Sequence, residues 1–306
     1  MKTDLISIDD LSKKRLLDFI TGAERMETMS DEDKRKILVG KILAVMFFEP
    51  STRTRLSFEA AMLRLGGANI GFSETGGTSV SKGETLRDTV RTIECYADAM
   101  VIRHPREGAA RAAAEISHVP IINAGDGANQ HPTQTLLDLY TIKKFFGRLD
   151  NLNIVMAGDL KYSRTVHSLV QALAHFEGIK FTFVSPDALR LPGENRKVIP
   201  DASFSETDDL ATSVKGSDVI YMTRIQRERF ADPIEYEKVK DFFCIDARML
   251  KNAAPHLKVL HPLPRVNEIH PEVDSTQHAG YFEQARNGLI MRQAILASLL
   301  GGEARQ

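Results

Sequence analysis

Apolar runs alternate with helical patterns along nearly the whole chain. Residues Ile42-Leu43-Ala44-Val45-Met46-Phe47-Phe48 form an unbroken apolar run, as expected of a buried strand, and Pro50 ends it. Leu56, Ala60 and Leu63 then recur four and three residues apart, which predicts a helix with those residues on its inner face, stopped by Gly66-Gly67. Ala99 to Ile102 reads as the next strand, Glu107 to Ser117 as an alanine-rich helix, and Pro120 to Ala124 as a strand released by Gly125-Asp126-Gly127. Pro132 suits a first helical turn and predicts a long helix running toward Phe146. After Gly147 the alternation restarts. Leu152 to Ala157 is a strand, Gly158 a turn, and Ser163 to Phe176 a helix; further strands are expected at Lys180–Val184, Asp218–Met222, Phe242–Ile245 and Lys258–Leu260. The last helix is expected to place Phe282, Ala285, Leu289, Leu296 and Leu299 on one face that packs as core. The charge run Asp31 to Lys36 reads as a solvated helix face or loop.

This alternation predicts an α/β protein of two lobes, each a mostly parallel sheet covered by helices, joined by interdomain helices of which one begins at Pro132. A length of 306 residues suits two domains. Hydrophobic residues at 42% and charged residues at 26% describe a globular chain rather than a disordered one. The 40 Lys and Arg against 41 Asp and Glu leave a formal charge of −1. No basic surplus exists to track a phosphate backbone, so nucleic acid is not an expected partner, although a local basic pocket for a small anion is compatible with that balance. Cys95 and Cys244 offer neither a disulfide framework nor a Cys-x-x-Cys spacing. Charges at Lys2, Asp4, Asp9 and Asp10 fall where a secretory leader needs its apolar core. No apolar run approaches the ~18 residues of a membrane span. A cytoplasmic protein with no membrane partner is expected.

Ligands of open parallel sheets sit outside the carboxyl ends of the strands, which makes each post-strand segment a place to look for chemistry. The most informative is Phe48-Glu49-Pro50-Ser51-Thr52-Arg53-Thr54-Arg55, between a buried strand and a helix. Ser51 or Thr52 can cap that helix, and its first N–H groups then point outward at the positive end of the helix dipole. With added hydroxyls and two guanidiniums the run has the makings of a phosphate or phosphonate cradle. A plain helix cap accounts for Ser-Thr alone but not for the whole run in that place. No His-Glu-x-x-His or clustered Cys/His pattern occurs, so no catalytic metal is expected. Ala157-Gly158-Asp159 is followed by Leu160, Lys161 and Tyr162 rather than by the glycines of a dinucleotide turn, so no nicotinamide cofactor is expected either. His104, His118, His167, His175, His256, His261, His270 and His278 read as surface or structural residues, and His131 alone sits in a specific motif.

The octapeptide closely resembles the phosphate-binding signature of the aspartate/ornithine carbamoyltransferase family, and the resemblance extends over essentially the whole chain. It includes Arg103 in Val101-Ile102-Arg103-His104-Pro105, His131-Pro132-Thr133-Gln134, and Leu260-His261-Pro262-Leu263-Pro264-Arg265. Pro262 stands where the ornithine branch usually carries Cys, which favours the aspartate branch, as do Gly83-Glu84-Thr85 after Lys82, Arg164-Thr165-Val166-His167 and Tyr221-Met222-Thr223-Arg224-Ile225-Gln226. The resemblance implies condensation of carbamoyl phosphate with L-aspartate to N-carbamoyl-L-aspartate and phosphate, an early step of pyrimidine synthesis, by direct transfer and without cofactor. It divides the chain into a carbamoyl-phosphate-binding domain (1–131 and 287–306) and an L-aspartate-binding domain (132–286).

Roles follow by the same resemblance. Ser51, Thr52, Arg53 and Thr54 suit the phosphate; Arg103 bridges phosphate and carbonyl oxygen; Thr54 and His131 donate to the developing oxyanion. Gln134 and the carbonyls of Leu263 and Pro264 suit the carbamoyl NH2, which needs acceptors. Arg164 and Arg224, helped by Gln226, suit the two carboxylates of aspartate. Glu49 and Arg229 read as partners that orient those two arginines. Lys82, in the loop Gly76 to Gly83, implies an active site completed by a neighbouring subunit, hence a homotrimer. His104-Pro105-Arg106-Glu107-Gly108-Ala109-Ala110-Arg111 resembles the region that in some relatives meets a separate zinc-bearing regulatory chain. The alternatives are an ornithine-type transferase on the same fold, and a catalytically silent subunit; the second requires losses at the signature positions, and none occurs.

Overall fold

The structure, a computed structural model, describes residues 2–74, 76–227, 230 and 232–301. The chain divides into one unit of Met1–Tyr140 with Arg286–Gln306 and a second of Thr141–Ala285.

In the first unit the apolar run at 42–48 becomes β1 (Ile42–Phe47), flanked by β2 (Ala68–Phe72) and β3 (Ala99–His104), with β4 (Ile121–Asp126) beyond. All pairings are parallel, and Val45 lies between Gly71 and Val101 in the register. Parallel strands need crossovers, and helices provide them: α1 (Lys13–Thr28) precedes the sheet, α2 (Thr52–Arg64) links β1 to β2, α3 (Leu86–Ile93) links β2 to β3, and α4 (Ala109–Ile116) links β3 to β4. Ala44, Met46, Met100, Ile102 and Ile121 from the sheet pack with Val90 of α3 and with Ala110 and Ala113 of α4. The sheet order β2-β1-β3-β4 means that the connections leave β1 and β3 in opposite directions. Their carboxyl ends therefore flank a topological switch point, the position where α/β sheets bind ligands.

The second unit repeats the plan. Strands β5 (Asn153–Ala157), β6 (Lys180–Val184), β7 (Phe204–Thr207), β8 (Val219–Met222) and β9 (Lys258–Leu260) lie parallel in the order β7-β6-β5-β8-β9, placing the switch point between β5 and β8. Val155, Ala157, Val184, Ile220, Met222 and Val259 share a core with Leu210, Val214 and Tyr281. The division between units falls inside α5 (Pro132–Phe146), which starts at the expected proline, and inside the last helix α8 (Tyr281–Leu300); α6 (Arg164–Leu173) and α7 (Pro233–Val239) belong to the second unit.

Four expectations change. The inner face of α2 is Phe58, Ala61, Met62 and Leu65, all buried, whereas Leu56 is 54% and Leu63 60% exposed. Both sets fit a helical period, and the larger Phe58 and Met62 take the core. On α8, Phe282 and Ala285 are exposed and Leu289 half-buried, while Tyr281, Gln284, Asn287, Met291, Arg292 and Ile295 are buried. Polar side chains are packed inside there, so an apolar stripe misphases the helix. Phe242–Ile245 is not a strand: Ile245 makes a single bridge to Ile269, and Phe242 is exposed. Strands β2 and β7 carry no long apolar run; both are sheet edges, and the residues of β2 are exposed or half-buried.

Gly158, directly after β5, has φ 108°, and a Cβ there would lie 2.1 Å from the Thr223 carbonyl oxygen. That oxygen belongs to the segment leaving β8, so only glycine lets the two switch-point exits run this close. Gly158→Ala is expected to destabilise the protein by about 2–4 kcal/mol, read as a lowered unfolding midpoint in urea.

Candidate functional site

In the first unit the chain leaves β1 through Phe48, whose N–H donates to the Arg103 carbonyl at 2.8 Å and so ties the exits of β1 and β3. Ser51 takes the N-cap backbone position of α2 (φ −160°, ψ 94°), but its hydroxyl makes no capping hydrogen bond. The helix N-terminus is thus left to an external acceptor, with its dipole favouring an anion. Thr54 is buried in the first turn, Ser51 half-buried, and Thr52 and Arg53 exposed. Arg55 turns along the helix to Glu59 at 2.7 Å.

Arg103, at the end of β3, is 9% exposed. Its Nη2 donates to Glu49 Oε1 at 2.7 Å and its Nη1 to the Ala124 carbonyl at 3.2 Å, while Nε is buried without a hydrogen-bond partner. A guanidinium is hence pinned among the exits of β1, β3 and β4, with its plane fixed by two acceptors. Glu49, expected from the sequence to orient Arg164 and Arg224, is engaged by Arg103.

The exit of β4 is shaped by Asp126, 1% exposed. Its carboxylate accepts from Asn123 Nδ2 (2.9 Å), Asn129 Nδ2 (3.0 Å), and the backbone N–H groups of Gln130 (3.1 Å) and Gly108 (2.9 Å). Those bonds shape the short turn that delivers His131. His131 is buried, and its carbonyl accepts from the N–H groups of Gln134 (3.0 Å) and Thr135 (3.2 Å), starting α5. Gln134 is buried one turn in, its Nε2 donating to Asp138 Oδ1 at 2.9 Å. Lys82 lies on an exposed 3-10 turn (Ser79–Lys82) closed by Gly83 at φ 95°.

In the second unit the exits of β5 and β8 are sewn together: the Thr223 N–H donates to the Ala157 carbonyl at 2.9 Å and its hydroxyl to the same oxygen at 3.2 Å. Arg164 opens α6 after Ser163, and Arg224 and Gln226 follow β8; all three are half-buried. Asp159 organises them from below. It is fully buried, accepts from the Tyr162 N–H at 2.9 Å and from the Gln226 N–H at 3.5 Å, and lies near the charge of Arg224. Gln226 Nε2 also reaches the Tyr162 carbonyl at 3.4 Å. Burial pushes the Asp159 carboxyl up to about 6, against the opposing pull of the backbone donors and Arg224. Arg229 lies outside the described residues.

Leu263 and Pro264 are positioned by His261, buried and read from sequence as structural. His261 Nε2 contacts Glu268 Oε1 at 2.7 Å, and its Nδ1 accepts the Leu263 N–H at 2.7 Å. Leu263 adopts φ 55°, a left-handed conformation uncommon for a side chain of its size, which turns the backbone at this point. Burial raises the Glu268 carboxyl, but the hydrogen bond and charge of His261 together with backbone N–H donors hold it below its ordinary range. Glu49 as partner of Arg103, Asp126, Asp138 and Asp159 are the residues that motif reading passed over. Each carboxylate lies in or beside a recognised motif, which is the only signal they carry. Among the described residues no three His, Cys, Asp or Glu side chains gather as a metal site, and no helix is long and apolar enough to cross a membrane.

Comparison with known proteins adds an independent line. Residues 3–144 match the carbamoyl-P binding domain of aspartate/ornithine carbamoyltransferase, and residues 150–299 match its Asp/Orn binding domain. The aspartate carbamoyltransferase catalytic subunit of Thermococcus gammatolerans is 55% identical over 301 residues, 97% of each chain. Among solved structures, the catalytic subunit of M. jannaschii aspartate transcarbamoylase is 50% identical with a TM-score of 0.91 over 100% of both chains. Aspartate transcarbamoylase from Trypanosoma cruzi, in complex with carbamoyl phosphate and aspartate, is 39% identical with a TM-score of 0.90 over 98% of this chain and 96% of that one.

The raised Asp159 carboxyl gives a signed prediction. Its folded value of about 6 exceeds the usual 3.8, so the folded chain holds this proton more tightly than the unfolded one. The stability it contributes is full below 3.8 and lost as pH rises to about 6. Asp159→Asn lacks that slope, and should gain about 3 kcal/mol on the wild type between pH 4 and pH 7 in urea unfolding.

Proposed function

Because the chain belongs to the aspartate/ornithine carbamoyltransferase family, we propose that it transfers the carbamoyl group of carbamoyl phosphate to the amine of L-aspartate, giving N-carbamoyl-L-aspartate and phosphate. The observation that carries this reading is the pinned guanidinium of Arg103 at the switch point between β1 and β3, beside a helix N-terminus whose cap hydroxyl is not used. A dianionic phosphate suits that N-terminus, with the Ser51, Thr52 and Thr54 hydroxyls and the Arg53 guanidinium around it. Arg103 then reaches from the phosphate to the carbonyl oxygen. The neutral amine attacks the carbonyl carbon, negative charge grows on the carbonyl oxygen, and Thr54, Arg103 and His131 stabilise it. Gln134 and the carbonyls of Leu263 and Pro264 accept from the carbamoyl NH2. The C–O bond to phosphate breaks, and the leaving phosphate takes the amine proton, so no covalent enzyme intermediate and no cofactor are needed.

Arg164, Arg224 and Gln226 bind the two carboxylates of aspartate in this reading, the first unit taking carbamoyl phosphate and the second the amino acid. An ornithine side chain, cationic where aspartate is anionic, would meet guanidiniums instead of carboxylates; the aspartate reading is the better supported. The reaction belongs early in pyrimidine synthesis, in the cytoplasm. Lys82, exposed on its turn, completes the site of a neighbouring copy in a homotrimer, and the exposed Val39, Leu56, Leu63 and Ile70 of the first unit supply apolar surface for such contacts. The exposed segment Pro105–Gly108 is where a zinc-bearing regulatory chain would dock. Co-purification from the native source tests that association.

Arg53→Ala and His131→Ala should each lower kcat by about 10²–10³-fold in a steady-state carbamoylation assay, the scale of a lost oxyanion donor. Near-normal turnover in either would refute its role. Mixing inactive Lys82→Ala and Arg53→Ala chains should regenerate activity, since some sites then receive both intact residues. Well-folded hybrids that stay inactive would count against shared sites.

A further inference from the structure

A second buried guanidinium sits behind the donor half-site. Arg292, on α8, is 4% exposed. Its Nη1 donates to Ser57 Oγ on α2 at 3.0 Å, and its guanidinium lies 5.1 Å from the centre of the Phe58 ring. The backbone of Gly288 leaves it room: a Cβ there would come within 2.7 Å of Nη1. The counter-charge is Asp138 on α5, fully buried, which offsets part of the burial cost that brings the Arg292 guanidinium down to about 10. The same Asp138 accepts the hydrogen bond from Gln134 Nε2 at 2.9 Å, one turn along the helix. Arg292 thus bonds to α2 and acts on Asp138 through its charge, while Asp138 bonds to the side chain of Gln134.

An ionised carboxylate only accepts hydrogen bonds, so it can engage the Gln134 amide solely through its NH2 end. The amide oxygen Oε1 is then held on the edge of the amide group that faces away from Asp138. The carbamoyl NH2 has two N–H groups and needs acceptors, so the orientation of this one amide decides whether Gln134 helps or opposes the donor. Flipped, it would set NH2 against NH2. We propose that Asp138, through its hydrogen bond to Nε2, is the positioning residue that fixes the Gln134 amide with its oxygen toward the carbamoyl NH2. The role makes the site selective for a carbamoyl over an acyl group. It rests on the reading of Gln134 as a ligand of that NH2. The Ser57 contact ties the guanidinium whose charge faces Asp138 to α2, the helix proposed to receive the phosphate.

The test compares two donors on the full-length enzyme: carbamoyl phosphate, and acetyl phosphate, which carries a methyl group in place of the NH2. The quantity read is the ratio of their dissociation constants, by calorimetric titration. Gln134→Ala should lower the preference for carbamoyl phosphate by about tenfold, the scale of one hydrogen bond. Asp138→Asn should lower it similarly, because an Asn amide can donate or accept and no longer dictates the orientation. Acetyl phosphate affinity should stay within about twofold, and the double variant Gln134→Ala/Asp138→Asn should lose no further preference. Asp138→Asn leaves Arg292 buried without its counter-charge, so the charge-free pair Asp138→Asn/Arg292→Met provides a second route to the same loss of preference if the single variant does not fold. A lowered preference in Gln134→Ala with wild-type preference in a folded Asp138 variant would overturn the positioning role alone. Equal weakening of both donors would also overturn it, since it marks a general structural effect. An unchanged preference in Gln134→Ala would instead remove Gln134 from the carbamoyl NH2, and the inference with it.

Discussion

The ion pair between Arg103 and Glu49 is the contact on which the proposed donor half-site depends. A guanidinium nine-tenths removed from water would be costly by several kcal/mol if left unpaired. Here a carboxylate at 2.7 Å and a carbonyl at 3.2 Å offset that cost and fix the plane of the group. Glu49 stands directly after β1, Arg103 ends β3 and Ala124 lies in β4, so the pair also records how three strands must align for the site to exist. A guanidinium held in this way is what electrostatic stabilisation of a developing oxyanion, as proposed for Arg103, requires.

The amino-acid half-site inverts the charge. At the exit of β5 it is a carboxylate, Asp159, that is buried, and it is held by backbone N–H groups from both sides of the switch point. Asp159 lines up the segment bearing Arg164 with the segment bearing Arg224 and Gln226, as Arg103 and Glu49 line up the exits of the other sheet. In each unit the strand order supplies two diverging exits and one buried ionic group braces them. Positions proposed to touch ligand can then be exposed or half-buried polar residues, as Arg53, Arg164 and Arg224 are.

Much of this was legible in the sequence, and the failures share a cause. Strands β1, β3, β4, β5, β6, β8 and β9 announce themselves as apolar runs because both faces of a parallel sheet are covered. Strands β2 and β7 do not: unlike the other two edge strands, β4 and β9, they have no fully buried residue, and β2 carries Gly71 at φ 141° against the Val45 backbone. Phe242–Ile245 resembles a strand through composition alone; Phe243 and Ile245 enter the core, but only Ile245 makes a bridge. The faces of α2 and α8 were misread because apolar residues at helical spacing need not be the ones that pack: Leu56 and Leu63 face outward, and Arg292, Asn287 and Gln293 face inward. The residues that touch substrate in the proposed reaction fall in short motifs, and motifs survive in one dimension. The residues that hold them, Glu49, Asp126, Asp138 and Asp159, act through contacts made only after folding. A buried carboxylate is indistinguishable in sequence from a surface one.

The most direct measurement is a crystal structure of the protein with carbamoyl phosphate bound. The account predicts the phosphate at the N-terminus of α2, within hydrogen-bond distance of the Ser51–Thr54 backbone and hydroxyls, with Arg103 between phosphate and carbonyl oxygen while still paired to Glu49. Density for the donor away from that helix end, or a bound donor that Arg103 does not contact, would contradict it.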